Sequence, residues 1–342
     1  MLKHKNGGVK MKKSLSLILA GTLLLATAVT GCGEKSSGSN GEGKSFAPSQ
    51  TINWYVTSSP GGGSDIYTRK ISDIMTTEKL VDQTIVVTNK TDGGGEVGRN
   101  EVANIKGPKA DHTLLTFNSG DLMPMVLNTK NRSSNFKIVS LMAVDKQLLF
   151  KGESTKYNTF EEAIEAAKNG TKVVMGGSKG DDVATYQAMI EEIGLTPDQL
   201  SYITYDSSGD AITAALGGHI EFVISKPAAA SEYVEAGSLT PVLALATERY
   251  TGNLADAPTL SEIGDYDNVE IPVWRAVVAP AAMSDEAVKF WSDALAKVSE
   301  TEDWKTNYID KNKLIPNYMS SAEAYEYITN YEKDFMEANG IK

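Results

Sequence analysis

A short apolar strand pattern, three consecutive glycines and a helical pattern follow one another twice, and this repeat restricts the possible folds more than any other feature. The strand, glycines and helix fall at 52–56, 61–63 and 64–78 in the first unit and at 84–88, 93–95 and 96–105 in the second. Apolar residues recur at helical spacing between Ile66 and Met75, as in an amphipathic helix. Ser64 or Asp65 is suited to cap that helix.

The same alternation continues along the chain. Further strands are predicted at 113–117, 138–144, 148–150, 172–175, 202–205, 220–224 and 242–246, with helices at 159–168, 182–193, 208–216 and 228–236 and a mostly helical end from 284 to 339. Strands that alternate with helices are typical of an α/β fold. We therefore expect a mixed, largely parallel sheet with helices on both faces.

The two glycine clusters each join a strand to the first turn of a helix, a position suited to anion binding. Glycine lets the backbone turn sharply and approach a ligand closely. The first N–H groups of a helix have no partner within it, and the helix dipole places partial positive charge at the same point. We expect the two clusters to close on one carboxylate; tight turns without a ligand are the alternative.

The first 50 residues have the layout of an export signal followed by a lipid attachment site. Lysines at positions 10, 12 and 13 precede an apolar run from Leu15 to Val29, as in a secretory signal peptide. The segment Val29-Thr30-Gly31-Cys32 is similar to a bacterial lipobox, so residues 1–31 are predicted to be a lipoprotein signal peptide and Cys32 the lipidated residue. Residues 32–50 are rich in glycine and serine, which favours a flexible linker.

This layout predicts an extracytoplasmic protein anchored by lipid to the outer face of the bacterial cell membrane. A diacylated cysteine supplies the two chains that stable anchoring needs. An uncleaved N-terminal anchor with an incidental cysteine is the alternative.

Composition excludes several classes of site and partner. The formal net charge of −11 disfavours binding to nucleic acid or to anionic lipid. Cys32 is the only cysteine in the chain, so once lipidated it leaves no thiol for a disulfide, a nucleophile or a metal site. Two histidines follow the predicted signal peptide, His112 and His219, too few and too separated for a zinc site. No cofactor and no metal are predicted.

Motifs spread over most of the chain resemble one receptor family. They are Ser59–Asp65, Asn89–Gly98, Asp111–Leu115, Tyr205, Ala215–Glu221, Ala236–Leu239, Ala257–Gly264 and Trp274–Pro280. In this order they resemble the substrate-binding proteins of tripartite tricarboxylate transporters, also known as the Bug family. No single motif identifies the family, but the whole set in this order is specific to it.

The resemblance implies a type II periplasmic-binding-protein fold, in which two α/β lobes enclose a ligand in the cleft between them. By this resemblance lobe 1 comprises residues 51–145 plus 248–342, and lobe 2 comprises 146–247. The partners it implies are the membrane subunits of an ion-gradient-driven tripartite transporter, beside the lipid bilayer at Cys32. We expect a monomer.

The family holds the ligand carboxylate mainly through backbone N–H groups, and its pattern carries over to both lobes. In lobe 1 the implied ligand-binding residues are Ser58, Gly62, Gly63, Ser64, Asp65, Gly94, Gly95, Glu96, Ser119 and Trp274. In lobe 2 they are Ser178, Asp181, Asp182, Ser225 and Lys226. Arg275 is a further candidate to pair with a ligand carboxylate or a cleft acid, or to form only a surface ion pair.

Acidic residues stand at several positions where the family commonly has neutral or basic ones: Asp92, Glu96, Asp181, Asp182 and Asp206. A polycarboxylate such as citrate would meet unpaired negative charge there, which is costly in a desolvated cleft. We expect a small carboxylate-containing solute, either an amino-acid-like zwitterion or a carboxylate bound together with a cation. The alternative is that some of these acids face solvent.

A secreted serine hydrolase is the main alternative from another class. Residues 176–180 spell G-x-S-x-G after a strand, and Asp206, Asp210 and His219 follow Ser178 in a hydrolase order. A nucleophilic serine needs a histidine within hydrogen-bond reach. His219 is predicted to open a strand and so to lie at the opposite edge of the sheet. We therefore predict a binding protein and not an enzyme.

Two further alternatives use the same residues differently. Residues 93–98 spell the G-x-G-x-x-G of a dinucleotide site, with Asp121 downstream, but in the second strand unit and in a chain predicted to be exported. A ligand sensor with the same two-lobed clamp is the other alternative.

Overall fold

The computed structural model of the protein describes residues 46–342. The strands are β1 Ile52–Val56, β2 Ile85–Asn89, β3 Thr113–Asn118, β4 Phe136–Asp145, β5 Gln147–Gly152, β6 Val173–Ser178, β7 Leu200–Tyr205, β8 Phe222–Ser225, β9 Leu239–Leu245, β10 Val273–Pro280 and β11 Ile315–Met319. The helices are α1 Gly63–Thr77, α2 Glu96–Ala103, α3 Ser119–Asn128, α4 Phe160–Lys168, α5 Asp181–Ile193, α6 Ser208–Leu216, α7 Pro227–Glu235, α8 Leu260–Ile263, α9 Asp285–Glu300, α10 Glu302–Trp304 and α11 Ser321–Ala338. The predicted signal peptide, Cys32 and most of the predicted linker lie outside the described residues.

The strands form two sheets, each at the centre of one lobe. Sheet 1, in lobe 1, has the order β11-β4-β10-β3-β1-β2, and sheet 2, in lobe 2, has the order β7-β6-β8-β5-β9. Apolar clusters cover both faces of sheet 1, because successive side chains of a strand point to opposite faces. Trp54 and Tyr55 of β1, for example, belong to different buried clusters.

Antiparallel pairing is more frequent than the sequence pattern indicates. β1 pairs in parallel with β2 and β3, and β6 with β7 and β8. The pairs that involve β5 and β10, and the pair of β11 with β4, are antiparallel. The prediction of a largely parallel sheet is wrong for two reasons. β10 and β11 enter sheet 1 from the far end of the chain, and in sheet 2 β5 runs antiparallel to both of its neighbours.

The second crossing between the lobes comes later than the resemblance implies. The first crossing lies between β4 and β5, around Lys146. After β9 the chain stays on lobe 2, where Leu254 and Leu260 are buried in its apolar clusters and Thr259 bridges to Ala244. The return therefore falls shortly before β10 and not at residue 248.

Three elements of lobe 1 do not follow the predicted pattern. β10 is buried along its whole length, so it lacks the alternation that marks a half-exposed strand. β11 lies in the region predicted to be helical and contains Pro316, which the edge position tolerates. α3 contains Pro124, a residue that disguises a helix in sequence.

The last residues of the predicted linker pack on lobe 1. Phe46 lies edge-on to His112 and Phe290, with 5.6 Å between ring centroids in both pairs. The backbone N–H of Ser49 donates to Nε2 of His112 at 3.0 Å. The folded part therefore includes residues before Thr51. Among the helices described here, none is long and apolar enough to span a bilayer.

Candidate functional site

Helix N-termini from both lobes converge on a cavity of about 50 Å³ between them. Its lining includes residues of the first turns of α1, α3, α5 and α6 and the residue before α7, namely Gly63, Ser64, Gly120, Asp121, Asp181, Ser208 and Lys226. The first N–H groups of each helix are unpaired within it, and each dipole adds partial positive charge. The cavity is therefore suited to an anionic group.

The first glycine loop lies at this cavity. Ser58, Gly63 and Ser64 line it. Gly63 approaches Arg275 so closely that a Cβ would lie 2.8 Å from Nη2 of the guanidinium. Gly62 faces lobe 2, where a Cβ would lie 3.0 Å from Cβ of Ser207. Glycine allows both close approaches because it has no side chain.

Asp65 shapes the first loop instead of lining the cavity. Its carboxylate accepts hydrogen bonds at 3.0 Å from the backbone N–H of Gly61 and from the side chains of Arg69 and Asn89. Burial raises the pKa of Asp65, but these donors outweigh it and hold the pKa below its ordinary value. The acid therefore fixes the turn that carries Gly62 and Gly63.

The second glycine loop does not join the first at the cavity. Gly94 and Gly95 have φ of 64° and 82°, but neither they nor Glu96 line the cavity. Arg99 donates to the carbonyl oxygen of Gly94 at 3.2 Å and to Glu96 at 3.0 Å. The expected pairing of α1 with α2 is replaced by α1 with α3. The reason is that β2 is an edge strand, whereas β3 lies between β1 and β10.

Asn118, Gly120 and Asp121 at the start of α3 line the cavity, whereas the sequence predicts only their neighbour Ser119 as a ligand-binding residue of the receptor. The Asn118 side chain accepts from the backbone N–H of Asp121 and donates to Oγ of Ser64, both at 3.0 Å. Asp121 accepts from Thr57 at 2.6 Å and from Arg99 at 2.7 Å. The sequence contains a signal for this part of the site. Asn118 stands between β3 and a helix, just as the first glycine loop stands between β1 and a helix.

The acids of lobe 2 are held by one lysine. Lys226 forms ion pairs with both Asp181 and Asp182. Asp182 also accepts from the backbone N–H of Ser178 at 2.7 Å, from Oγ of Ser178 at 2.6 Å and from Gln147. Asp181, Ser178 and Lys226 line the cavity. Asp182 is fully buried and supports them from behind.

Burial and mutual contact shift the pKa values of Asp181 and Lys226 away from those of free side chains. Burial raises the pKa of Asp181 to about 7, with Lys226 opposing the shift and Asp182 adding to it. Burial would lower the pKa of Lys226, but the two carboxylates outweigh it and raise that pKa.

In residues 46–342 no group of His, Cys, Asp and Glu is arranged to hold a metal ion.

Arg275 forms a buried ion pair, not a surface one. It lies on β10 and pairs with Asp145 at the end of β4, and both residues are at most 3% exposed. β4 and β10 are neighbours in sheet 1, so the pair sits where the chain leaves lobe 1. Arg275 lines the cavity and places a fixed positive charge beside Gly63.

Three predicted residues are buried away from the cavity lining. Trp274 packs between Phe117 and Tyr331, with ring centroids at 5.8 Å and 5.7 Å, because its side chain points to the face of β10 opposite to that of Arg275. Ser119 and Ser225 are both fully buried. Oγ of Ser225 donates to the carbonyl oxygen of Lys226 at 3.4 Å.

The geometry around Ser178 does not fit a serine hydrolase. β6 and β8 are parallel, with Met175 opposite Phe222. Ser178 lies three residues after Met175 and His219 three residues before Phe222. At about 3.3 Å per residue the two are roughly 20 Å apart along the sheet. Oγ of Ser178 instead donates to Asp182.

A family model of transport receptors and one relative of known sequence match most of this chain. A family model described as the tripartite tricarboxylate transporter family receptor matches residues 68–337. A protein of Cupriavidus necator, described as the UPF0065 protein in the gbd 5′ region, is 26% identical over 285 residues, which cover 82% of this chain and 84% of the relative.

Solved structures show the same fold. The periplasmic binding protein BugD superposes with a TM-score of 0.76 at 17% identity, over 86% of this chain and 99% of that protein. MatC of Rhodopseudomonas palustris, solved with bound malate, superposes with a TM-score of 0.73 at 19% identity, over 85% of this chain and 98% of that protein. The predicted periplasmic-binding-protein fold with two α/β lobes is therefore confirmed.

Proposed function

The chain belongs to the tripartite tricarboxylate transporter family of receptors, and on that premise we propose that it captures a small carboxylate-containing solute for a tripartite secondary transporter. Proteins of this family are extracytoplasmic receptors and not enzymes. We also propose that Cys32 carries the lipid that holds the receptor at the membrane. The membrane subunits of the transporter are the partners that follow from this role.

The observation that carries the proposal is the convergence of helix N-termini from both lobes on one cavity between them. A carboxylate at this point accepts hydrogen bonds from N–H groups of both lobes at once. Because these donors belong to separate lobes, an anion that contacts both stabilises the closed arrangement. Removal of water from the closed cleft strengthens each of these hydrogen bonds.

The charges around the cavity favour a solute with one carboxylate, including amino-acid-like zwitterions. The buried acids are already paired: Asp145 with Arg275, Asp121 with Arg99, and the two acids of lobe 2 with Lys226. Of the charged residues on the lining, Lys179 and the exposed Asp206 lie outside these pairs. A tricarboxylate would bring two charges for which this arrangement provides no cation.

The size of the cavity supports the same class of ligand. A cavity needs roughly 10–15 Å³ to hold one water molecule, and one of roughly 150 Å³ holds a benzene ring. A volume of about 50 Å³ therefore suits a solute of few heavy atoms. Larger acids require the lobes to remain farther apart.

Calorimetry and thermal denaturation of the full chain test this function. The panel is propionate, L-alanine, γ-aminobutyrate, L-malate and citrate, and we expect propionate or a zwitterion to bind and raise the melting temperature. Gly63→Ala, whose Cβ would meet Arg275, is the control that should not bind. Binding of citrate alone contradicts the ligand class. Failure of every carboxylate to bind contradicts the function.

A further inference from the structure

Lys179 differs from the other cations of the cleft because no acid in the described part of the chain is bonded to it. It lies between β6 and α5 in lobe 2 and lines the cavity. Its Nζ is buried, and no acceptor in residues 46–342 lies within hydrogen-bond distance. Lys226, Arg275 and Arg99, in contrast, each contact at least one carboxylate.

The burial of Lys179 depends on contact between the lobes. Its side chain lies against Gly94 of lobe 1, where a Cβ would be 3.5 Å from Cδ and 3.7 Å from Nζ of the lysine. Burial lowers the pKa of Lys179, while Asp121 of lobe 1 opposes the shift. If the lobes separate, Gly94 and Asp121 move away and the ammonium group returns to water.

Closure without a ligand therefore buries a cation that lacks an acceptor. Removing an ammonium group from water is unfavourable unless a counter-charge or hydrogen-bond acceptors replace the water. A carboxylate in the cavity would supply both. A neutral solute of the same shape would supply neither, so the lysine favours closure around anions over closure around neutral solutes.

We propose that Lys179 makes closure of the two lobes conditional on an anionic group in the cavity. The proposal rests on the proposed receptor function, and it adds a residue that sets when the receptor closes. A ligand shifts a two-state equilibrium only by its differential affinity for the two states. Lys179 supplies a difference in affinity between the open and closed states, because its buried charge destabilises the closed state when no anion is bound.

Hydrogen–deuterium exchange of the full chain without added ligand tests this role. The reporters are segments 118–122 and 178–183, which meet across the cleft. We expect rapid exchange in the wild-type protein and exchange slowed by about tenfold in Lys179→Met, because removal of the charge allows the empty cleft to close. Lys179→Gln should behave like Lys179→Met, and Lys179→Arg like the wild-type protein.

Lys172→Met is the matched control. It removes an exposed lysine just before β6, at the opposite end of that strand from Lys179, and should exchange like the wild-type protein. If Lys179→Met and Lys179→Gln, folded by circular dichroism, both exchange at the wild-type rate, the proposal is overturned. Because no ligand is added, this result is separate from a failure of the receptor function, which the calorimetric panel detects.

Discussion

Gly120 of lobe 1 and Gly180 of lobe 2 meet backbone to backbone across the cleft. A Cβ on Gly180 would overlap the carbonyl oxygen of Gly120 and lie 2.5 Å from its Cα. A Cβ on Gly120 would overlap Oδ1 of Asp181. The two helices that begin here, α3 and α5, can therefore approach this closely only because both positions lack a side chain.

Gly120→Ala should weaken ligand binding without weakening the fold. Gly120 lies in the first turn of α3, and within lobe 1 a Cβ there would lie 3.0 Å from Oδ1 of Asn118, so we expect a nearly unchanged melting temperature. The added methyl group obstructs closure, and affinity for the best-binding solute of the panel should fall about tenfold or more, ~1.4 kcal/mol. Calorimetry measures this change.

The control for that substitution is Gly209→Ala. Gly209 also faces the other lobe, but a Cβ there would lie 3.4 Å from the carbonyl carbon of Gly61, an ordinary van der Waals contact. It should bind like the wild-type protein. Equal affinities in Gly120→Ala and Gly209→Ala would show that the Gly120–Gly180 contact does not limit closure.

Asp181 should make stability depend on pH. Burial raises the pKa of Asp181 from 3.8 to about 7. Between these values the folded protein holds a proton that the unfolded chain has lost, so the free energy of unfolding falls as the pH rises through this window. Urea denaturation at a series of pH values should show a smaller fall for Asp181→Asn than for the wild-type protein.

Asp206→Asn serves as the control because Asp206 is an exposed acid of the same cleft. Asp145 and Asp182 are buried acids close to Asp181, so the prediction concerns the difference between the pH profiles of variant and wild-type protein, not either profile alone. An identical pH profile in Asp181→Asn and the wild-type protein would refute the assignment.

Local patterns in the sequence predict most of the fold but not how distant segments pair. β1 to β9 and the helices α4 to α7 of lobe 2 follow from alternating apolar segments and glycine breaks, which are local signals. β10 is not among the predicted strands, although it is buried along its length like the predicted β3 and β8. Its position between β3 and β4 joins residues far apart in the chain, and this pairing makes the sheet mixed.

The residues of the candidate site likewise divide into those that a local sequence pattern predicts and those that depend on the pairing of distant segments. Gly63 and Ser64 are at the cavity because a strand–glycine–helix unit places them at a strand end. Gly94 has the same local pattern, yet it lies beside an edge strand and outside the cavity lining. No local motif marks Asp145 as a site residue. Its partner Arg275 lies on β10, which begins 128 residues after the end of β4.

Arg275→Met should destabilise the fold strongly. The substitution leaves the carboxylate of Asp145 buried without its ion-pair partner, which typically costs about 3–5 kcal/mol. The double variant Asp145→Asn with Arg275→Met removes the buried charge and should be less destabilised than Arg275→Met alone. Chemical denaturation measures both values. Lys289→Met, which breaks an exposed pair with Asp293, should cause no measurable change.

Equal destabilisation in the single and double variants would mean that the lost packing of the Arg275 side chain, and not an unpaired Asp145, dominates. That outcome would contradict the electrostatic role given to the pair.

Cys32→Ser should release the receptor from the membrane while leaving ligand binding intact. Serine lacks the thiol that receives the lipid, and Cys32 is the only cysteine in the chain. The residues that line the cavity begin at Thr57 in the chain, so the change should not alter affinity for the panel solutes. Fractionation of cells and mass spectrometry of the purified protein measure location and lipid. Retention of Cys32→Ser in the membrane fraction would point instead to an uncleaved N-terminal anchor, since the apolar run from Leu15 to Val29 would then hold the chain without lipid.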